Sequence, residues 1–272
     1  MRFRIPKLSS IVQRLSWSGL IGKGVLLLKQ NALSRREIER RVGRLCFDDA
    51  VGAFLREQDI DVVLDVGANV GDFGVMIRNH KYSGKILSFE PVSEPRSLLE
   101  EKASLDTLWS VFPFAAGAED SESVMTVTKS SLDFSSLLSP NDFFDERFEY
   151  AGQDNEQRKV TVRRLDTLLE DLFKTVPAPK IFLKTDTQGF DLNVISGLGG
   201  YLDLVAGLQI ELSLKQIYEG APDYHTVAKF LEDRGFAISS LCPISKTDLG
   251  EMIEVDSLFI RKSTSPSSAM DL

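Results

Sequence analysis

A chain of 272 residues is long enough for one large domain with appendages or for two small ones. Its 43% hydrophobic and 26% charged residues fit a folded globular protein and exclude a disordered, collagenous or polytopic membrane chain. A formal net charge of −8 disfavours a nucleic-acid partner, and two cysteines, Cys46 and Cys242, cannot form a disulfide framework and suit a reducing, cytoplasmic compartment.

The net charge is the sum of two unlike parts. Residues 1–45 carry eleven basic and two acidic side chains, net +9, and the remainder is −17. The longest apolar run in the first part, Val25-Leu26-Leu27-Leu28, falls far short of the ~18 residues of a membrane-spanning helix. No small-residue cleavage site follows it. Ile11, Val12, Leu15, Leu20, Ile21, Val25 and Leu28 suit one loosely helical face. Residues 1–45 are therefore expected to form a basic helical extension. Two uses stay open for it: a peripheral contact with anionic membrane, or packing on the main domain or a second copy.

From Asp61 strand and helix signals alternate. Val62 to Val66 suits a buried parallel strand and leads through Gly67-Ala68-Asn69-Val70-Gly71 into a helix with Phe73, Val75, Met76 and Ile77. Lys85 to Phe89 is a second strand, ending on Glu90-Pro91. A helix over Ser93 to Leu105 follows, with Ser93 as N-cap and Pro95 in its first turn. Ser110 to Phe114 reads as a third strand. Val124–Thr128 and Val160–Val162 then flank a polar, aromatic insert holding Phe134, Phe143, Phe144, Phe148 and Tyr150, suited to covering a substrate or simply to packing on the sheet. Leu165 to Phe173 predicts a helix capped near Asp166. Ile181 to Lys184 is the fourth core strand, with a helix over Asp191 to Leu198 beyond it. Leu204 to Leu212 is the fifth, ending at Glu211. A helix over Tyr224 to Arg234 stops at Gly235, and Phe236–Leu241 with Val255–Ile260 form an antiparallel pair. The expected partition is an extension over 1–45, a domain over 46–262 and a frayed Ser/Pro-rich tail over 263–272.

Such alternation implies an α/β fold, a Rossmann-like, mostly parallel sheet with helices on both faces. Ligands then bind beyond the carboxyl ends of the strands. Gly67 permits a tight turn there, and Gly71 lets the next helix pack closely. Asn69 replaces the middle glycine of the dinucleotide fingerprint, which argues against a pyrophosphate. Glu90, closing the second strand, is placed to accept hydrogen bonds from both hydroxyls of a ribose. A turn and an exposed acid with no ligand is the plainer alternative.

Five segments in order now point further: Leu64 to Gly71, Phe89-Glu90-Pro91, Ala115-Ala116-Gly117, Arg164 to Leu168, and Leu183 to Asp191. Together they resemble the signature of FkbM-type methyltransferases, class I enzymes that use S-adenosylmethionine. The resemblance covers about residues 60–262. It implies that Asp65, Gly67, Asn69 and Gly71 line the methionine part of the cofactor, that Glu90 holds the ribose, and that Ala115 and Ala116 border the adenine. Many class I enzymes place an acid at that point to meet the adenine amine; here the polar candidates, Glu119 and Asp120, come slightly later. The Lys184-Thr-Asp186-Thr-Gln188-Gly189 segment carries the Gln form of the family motif, with Asp191 where Glu is commoner.

Methyl transfer to an alcohol requires alignment, exclusion of water and removal of a proton. Asp186, at the end of a central strand, is the candidate to take that proton, with Lys184 on the same side of the strand to tune it. Gln188 is a candidate to bind substrate or cofactor, and Glu211 is a second carboxylate. Against this, Asp186 could cap the next helix and Lys184 could serve a structural ion pair. No His or Cys cluster suggests a metal, although Asp186 and Glu211 could hold Mg²⁺ with waters. His80 and His225 suit capping or surface positions, and the cysteines suit packing. The leading expectation is an O-methyltransferase acting on a saccharide or secondary-metabolite-like small molecule. A nicotinamide-dependent oxidoreductase and a non-catalytic methyltransferase-like binding module are the alternatives. Neither the acceptor's identity nor the oligomeric state is encoded in these motifs.

Overall fold

The computed structural model describes residues 35–128, 135–147, 155–174 and 178–262. Expectations about residues 1–34, the tail from 263, and Phe134, Phe148 and Tyr150 lie outside the described residues. By internal contacts the chain divides into Met1–Val42 and Gly43–Leu272, and the second unit contains the sheet and the site. No helix among the described residues is long and apolar enough to cross a membrane.

The first helix among the described residues, α1 (Arg35–Glu57), extends past residue 45. Phe47, Val51 and Leu55 recur every four residues along it and are buried, which gives it an apolar face for the sheet. There follow β1 (Val62–Val66), α2 (Asp72–Asn79), β2 (Lys85–Phe89), α3 (Ser93–Ala103) and β3 (Trp109–Phe112). Next come β4 (Ala115–Ala116), β5 (Ser121–Thr128), α4 (Asp142–Arg147), β6 (Asn155–Arg163), α5 (Leu165–Phe173) and β7 (Ile181–Thr185). The chain continues through α6 (Asp191–Ser196), a 3₁₀ turn (Gly199–Leu204), β8 (Val205–Ser213), α7 (Tyr224–Glu232), β9 (Phe236–Lys246) and β10 (Met252–Arg261).

Seven strands pair in the order β3-β2-β1-β7-β8-β10-β9. The first five are parallel, whereas β10 runs antiparallel to both β8 and β9. A dinucleotide-binding sheet would add its sixth strand directly beside the fifth. Here the last strand of a hairpin occupies that place, so the topology departs from the nicotinamide alternative. β4, β6 and β5 form a separate small sheet.

Side chains alternate between the two faces of each strand. Leu64, Leu183, Leu208 and Ile210 meet Leu165 and Leu169 of α5, Val194 of α6 and Leu231 of α7. On the other face Val63, Ile86 and Phe182 meet Phe47 and Val51 of α1, Ile77 of α2 and Leu99 of α3. Asp65 points to this second face, two residues beyond Val63, and so places a carboxyl where the pattern calls for an apolar side chain.

Three local expectations need correction. The third strand does not run through to Phe114: it stops at Phe112, and Ala115-Ala116 joins the small sheet instead. Pro113 has no N–H to continue the ladder. Ser93 is the first helical residue of α3, with Val92 in the cap position and no side-chain cap. Arg164, not Asp166, stands at the cap of α5, where its guanidinium pairs with Asp166.

Candidate active site

A cavity of about 580 Å³ opens at the carboxyl ends of the parallel strands, where the strand order reverses between β1 and β7. Its size falls within the ~300–1,000 Å³ usual for small-molecule sites. The β1–α2 loop forms one wall. Gly67 has φ +69°, and a Cβ there would lie 2.1 Å from the Asp186 carbonyl oxygen. Only glycine lets the ends of β1 and β7 approach this closely. Asn69 also takes a left-handed conformation, with φ +46°, and its backbone N–H donates to Glu90 Oε2 at 2.9 Å. The Val92 N–H donates to Glu90 Oε1 at 2.8 Å. Glu90 is thus clamped by one N–H on each oxygen. Burial pushes its pKa up, and the two N–H groups pull against that rise. Each oxygen keeps lone-pair capacity toward the cavity, as a diol would require.

Asp65 lies behind this wall rather than on it. It is fully buried, accepts from Ser88 Oγ at 2.9 Å and lies 3.4 Å from Lys184 Nζ. Trp109 Nε1 donates in turn to Ser88 Oγ at 3.0 Å. Burial raises the Asp65 pKa, and the Lys184 cation opposes that rise. Lys184 Nζ also donates to the Gly67 carbonyl at 2.8 Å and lies 3.7 Å from Asp186. Burial works against its charge, but Asp186 and Asp65 outweigh this and hold its pKa above the ordinary value. Gly71 sits behind the wall too. With φ +85°, it leaves room for Leu99 Cδ1, which a Cβ would meet at 2.7 Å. Gly67, Asn69, Glu90, Ala115 and Ala116 do line the cavity. Glu119 and Asp120 do not. Asp120 instead accepts the Arg164 backbone N–H at 2.7 Å.

The opposite end is built around Gln188, a left-handed residue with φ +54°. Its Nε2 donates to Asp186 Oδ1 and to Glu211 Oε2, each at 3.2 Å. Its Oε1 accepts from Tyr218 Oη at 2.9 Å, and its backbone carbonyl accepts from Ser136 Oγ at 2.9 Å. The amide therefore bridges two carboxyl groups that would otherwise repel, and Tyr218 fixes which way it points. Asp186 does not cap the next helix. Asp191, the first residue of α6, secures that turn by accepting from Thr185 Oγ1 at 2.6 Å and Thr187 Oγ1 at 2.9 Å. Asp186 is left 42% exposed on the cavity wall.

Glu211 is held well above the ordinary carboxylate pKa by burial and by the neighbouring Asp186 and Glu254. Glu254 and Asp256 reach the cavity from β10, both almost fully buried. Ser245 Oγ donates to Glu254 at 2.8 Å, and Arg44 of α1 pairs with Asp256 at 2.5 Å. Gln209, beside Lys184 in the β7–β8 register, also lines the cavity. Sequence reasoning missed Arg44, Gln209, Tyr218, Glu254 and Asp256. Glu254-Val255-Asp256, two acids at a spacing of two within an apolar strand, was a signal that could have been used.

The insert reaches the rim. Ser135 and Leu137 line the cavity. The Asn141 N–H bonds to the Ile217 carbonyl at 3.1 Å, and Phe144 packs with Ile217, Tyr218, Ala221 and Ile253. His80 Nδ1 is engaged with the Met76 carbonyl at 2.9 Å, and neither histidine lines the cavity. Among the described residues no group of three or more His, Cys, Asp or Glu side chains is arranged to hold a metal.

A glycine cradle, a clamped diol-facing glutamate and an apolar flank of Val92, Ala115, Met125 and Phe190 fit the parts of S-adenosylmethionine in turn. The sequence comparisons point the same way. The methyltransferase FkbM domain matches residues 65–238. "Methyltransferase 1" of Beauveria bassiana is 25% identical over 193 residues, 66% of this chain and 74% of that protein. "Methyltransferase sdnD" of Sordaria araneosa is 24% identical over 196 residues, 65% and 74% of the two chains. Among solved structures, the magnesium protoporphyrin IX methyltransferase of Synechocystis PCC 6803 with bound SAM aligns at TM-score 0.43 and 12% identity, covering 96% of this chain and 100% of the other. A precorrin-6y C5,15-methyltransferase from Geobacter metallireducens aligns at TM-score 0.41 and 14% identity, covering 79% and 87%. The chain belongs to the FkbM methyltransferase family and is an S-adenosylmethionine-dependent methyltransferase.

Proposed function

We propose that this enzyme methylates a hydroxyl of a saccharide or secondary-metabolite-like small molecule and that Asp186 receives the hydroxyl proton. When bound, S-adenosylmethionine supplies a methyl group on a positively charged sulfur that departs as a neutral thioether. The chain's own residues do the rest. Glu90 accepts the two ribose hydroxyls, Gly67 and Asn69 shape the methionine end, and Ala115 and Ala116 border the adenine. Asp186 orients the acceptor O–H and takes its proton as the oxygen–carbon bond forms. Gln188 keeps the Asp186 carboxylate in place, and Lys184 stabilises its charge before the transfer.

The observation that carries this reading is the position of Asp186. It is exposed to the cavity, tied by the Gln188 amide and 3.7 Å from Lys184, at the end of the strand that abuts Gly67. Methyl transfer to candidate acceptors, followed by mass spectrometry, tests it. Asp186→Asn should lower turnover at least ~100-fold while S-adenosylhomocysteine still binds. Full turnover in that variant would remove Asp186 from the chemistry.

The proposed domain spans 46–262, with Arg44 of α1 already on its cavity wall. The +9 charge of residues 1–45 supports a peripheral contact with anionic lipid. Residues 1–34 hold six of those eleven basic side chains and no acid, and unchanged sedimentation with phosphatidylserine vesicles after their deletion would refute a contact through them.

A further inference from the structure

The far end of the cavity is short of cations. Asp186, Glu211, Glu254 and Asp256 gather at the ends of β7, β8 and β10, against two cations. Both of these are already engaged: Lys184 with Asp65 and the Gly67 carbonyl, and Arg44 with Asp256. Two further donors nearby are also engaged. Both N–H interactions of Gln188 go to Asp186 and Glu211, and Ser245 Oγ serves Glu254.

One observation here points to a ligand. Gln209 is 7% exposed and lines the cavity, yet its Oε1 is buried with no hydrogen-bond partner. A buried amide oxygen left in this way costs roughly 1–3 kcal/mol. It can only accept, and the four acidic side chains that line the same cavity offer mainly acceptors too. A group that donates several hydrogen bonds and carries positive charge would satisfy this oxygen and the acidic cluster together.

We propose that the acceptor bears a protonated amine that sits among Gln209, Glu211, Glu254 and Asp256, next to the hydroxyl presented to Asp186. This rests on the O-methylation reading and narrows its acceptors to amino alcohols such as amino sugars. An ammonium has no lone pair, and the surrounding carboxylates hold it in that form, so the hydroxyl oxygen is the atom methylated. Burial and the neighbouring Asp186 and Glu254 push the Glu211 pKa up, as expected where acids gather with too few cations. Anionic acceptors, such as sugar phosphates, face repulsion from the same side chains.

The test uses the full chain. Titration with S-adenosylhomocysteine comes first; failure to bind would defeat the methyltransferase site and the acceptor proposal with it. The loaded protein is then titrated calorimetrically near neutral pH with glucosamine and ethanolamine, with glucose and ethylene glycol as neutral counterparts, and with glucose 6-phosphate and Mg²⁺. Each amine should bind at least ~10-fold more tightly than its neutral counterpart. Gln209→Leu and Glu254→Gln should each erase most of that preference while S-adenosylhomocysteine affinity holds, which shows that the fold is intact. Equal binding of the neutral compounds overturns the proposal. So does tighter binding of the phosphate, saturation by Mg²⁺ in place of the amine, or no amine binding up to about 20 mM with S-adenosylhomocysteine still bound.

Discussion

Replacing Glu90 with Gln tests the proposed ribose contact separately from the rest of the site. Glu90 is 6% exposed, and its two oxygens accept N–H groups from Asn69 and Val92 at 2.9 and 2.8 Å. In either orientation of a Gln amide, one NH₂ faces a backbone N–H. One buried donor then loses its acceptor, at a cost of roughly 1–3 kcal/mol. Burying a neutral amide in place of a carboxylate offsets part of that, so the melting temperature should fall only modestly. Binding suffers separately. One ribose hydroxyl loses a charge-assisted acceptor, worth about 1.5–3 kcal/mol, which corresponds to roughly 10- to 150-fold in affinity. Calorimetric titration with S-adenosylhomocysteine reads this directly. Affinity within about twofold of the parent protein, with an unchanged melting temperature, would refute the ribose role.

Three further outcomes follow from the same geometry. Gly67→Ala should lower the melting temperature sharply and abolish cofactor binding, because the added methyl would lie 2.1 Å from the Asp186 carbonyl at a φ of +69°; a fully stable, binding-competent variant would show that the β1–β7 contact is not tight. Lys184→Met should cost about 3–5 kcal/mol in urea unfolding by leaving Asp65 buried without its cation, and Lys184→Met with Asp65→Leu should recover much of the loss. A double variant no better than the single one would refute that account. Glu211 titrates higher in the folded protein than in the unfolded chain, so the native state holds the extra proton and this group's contribution fades as pH rises from the ordinary carboxylate value, 4.5, through the raised one. Glu211→Gln should therefore gain stability relative to the parent on going from pH ~5 to pH ~8; a difference independent of pH would mean that Glu211 is ionised throughout.

Local patterns were enough to place the parallel half of the sheet. Val62–Val66 and Ile181–Lys184 are mostly apolar runs bounded by glycine, proline and acidic residues, and both lie in central strands. Gly67, Asn69 and Glu90 could be placed on the cavity wall for the same reason: ligand clefts lie at strand ends in such sheets, and the strand ends were visible. The division of labour among those residues was not visible. Asp65 looks like a loop carboxylate in sequence, but its parity on β1 sends it beneath the wall to Lys184. Gln188 looks like a ligand group, and only its left-handed backbone and Tyr218 make it a bridge between Asp186 and Glu211. Arg44, Glu254 and Asp256 are separated from the motifs by tens to hundreds of residues. Their arrival at the cavity depends on α1 crossing the sheet and on β10 lying beside β8, and no local pattern encodes either pairing.

The placement of β10 also bears on how the protein is made. Synthesis proceeds from the amino end, so β8 and β9 leave the ribosome before the strand that fits between them. Until residues 252–261 emerge, β8 has an open edge toward the gap, and the strand that closes it, β10, is buried along most of its length in the finished sheet. Unpaired apolar edges of this kind invite pairing with other chains. The nascent enzyme is therefore exposed to misassembly in the interval between the emergence of β8 and that of β10, and a chain shortened before residue 252 would keep every family motif and still lack the middle of its antiparallel half.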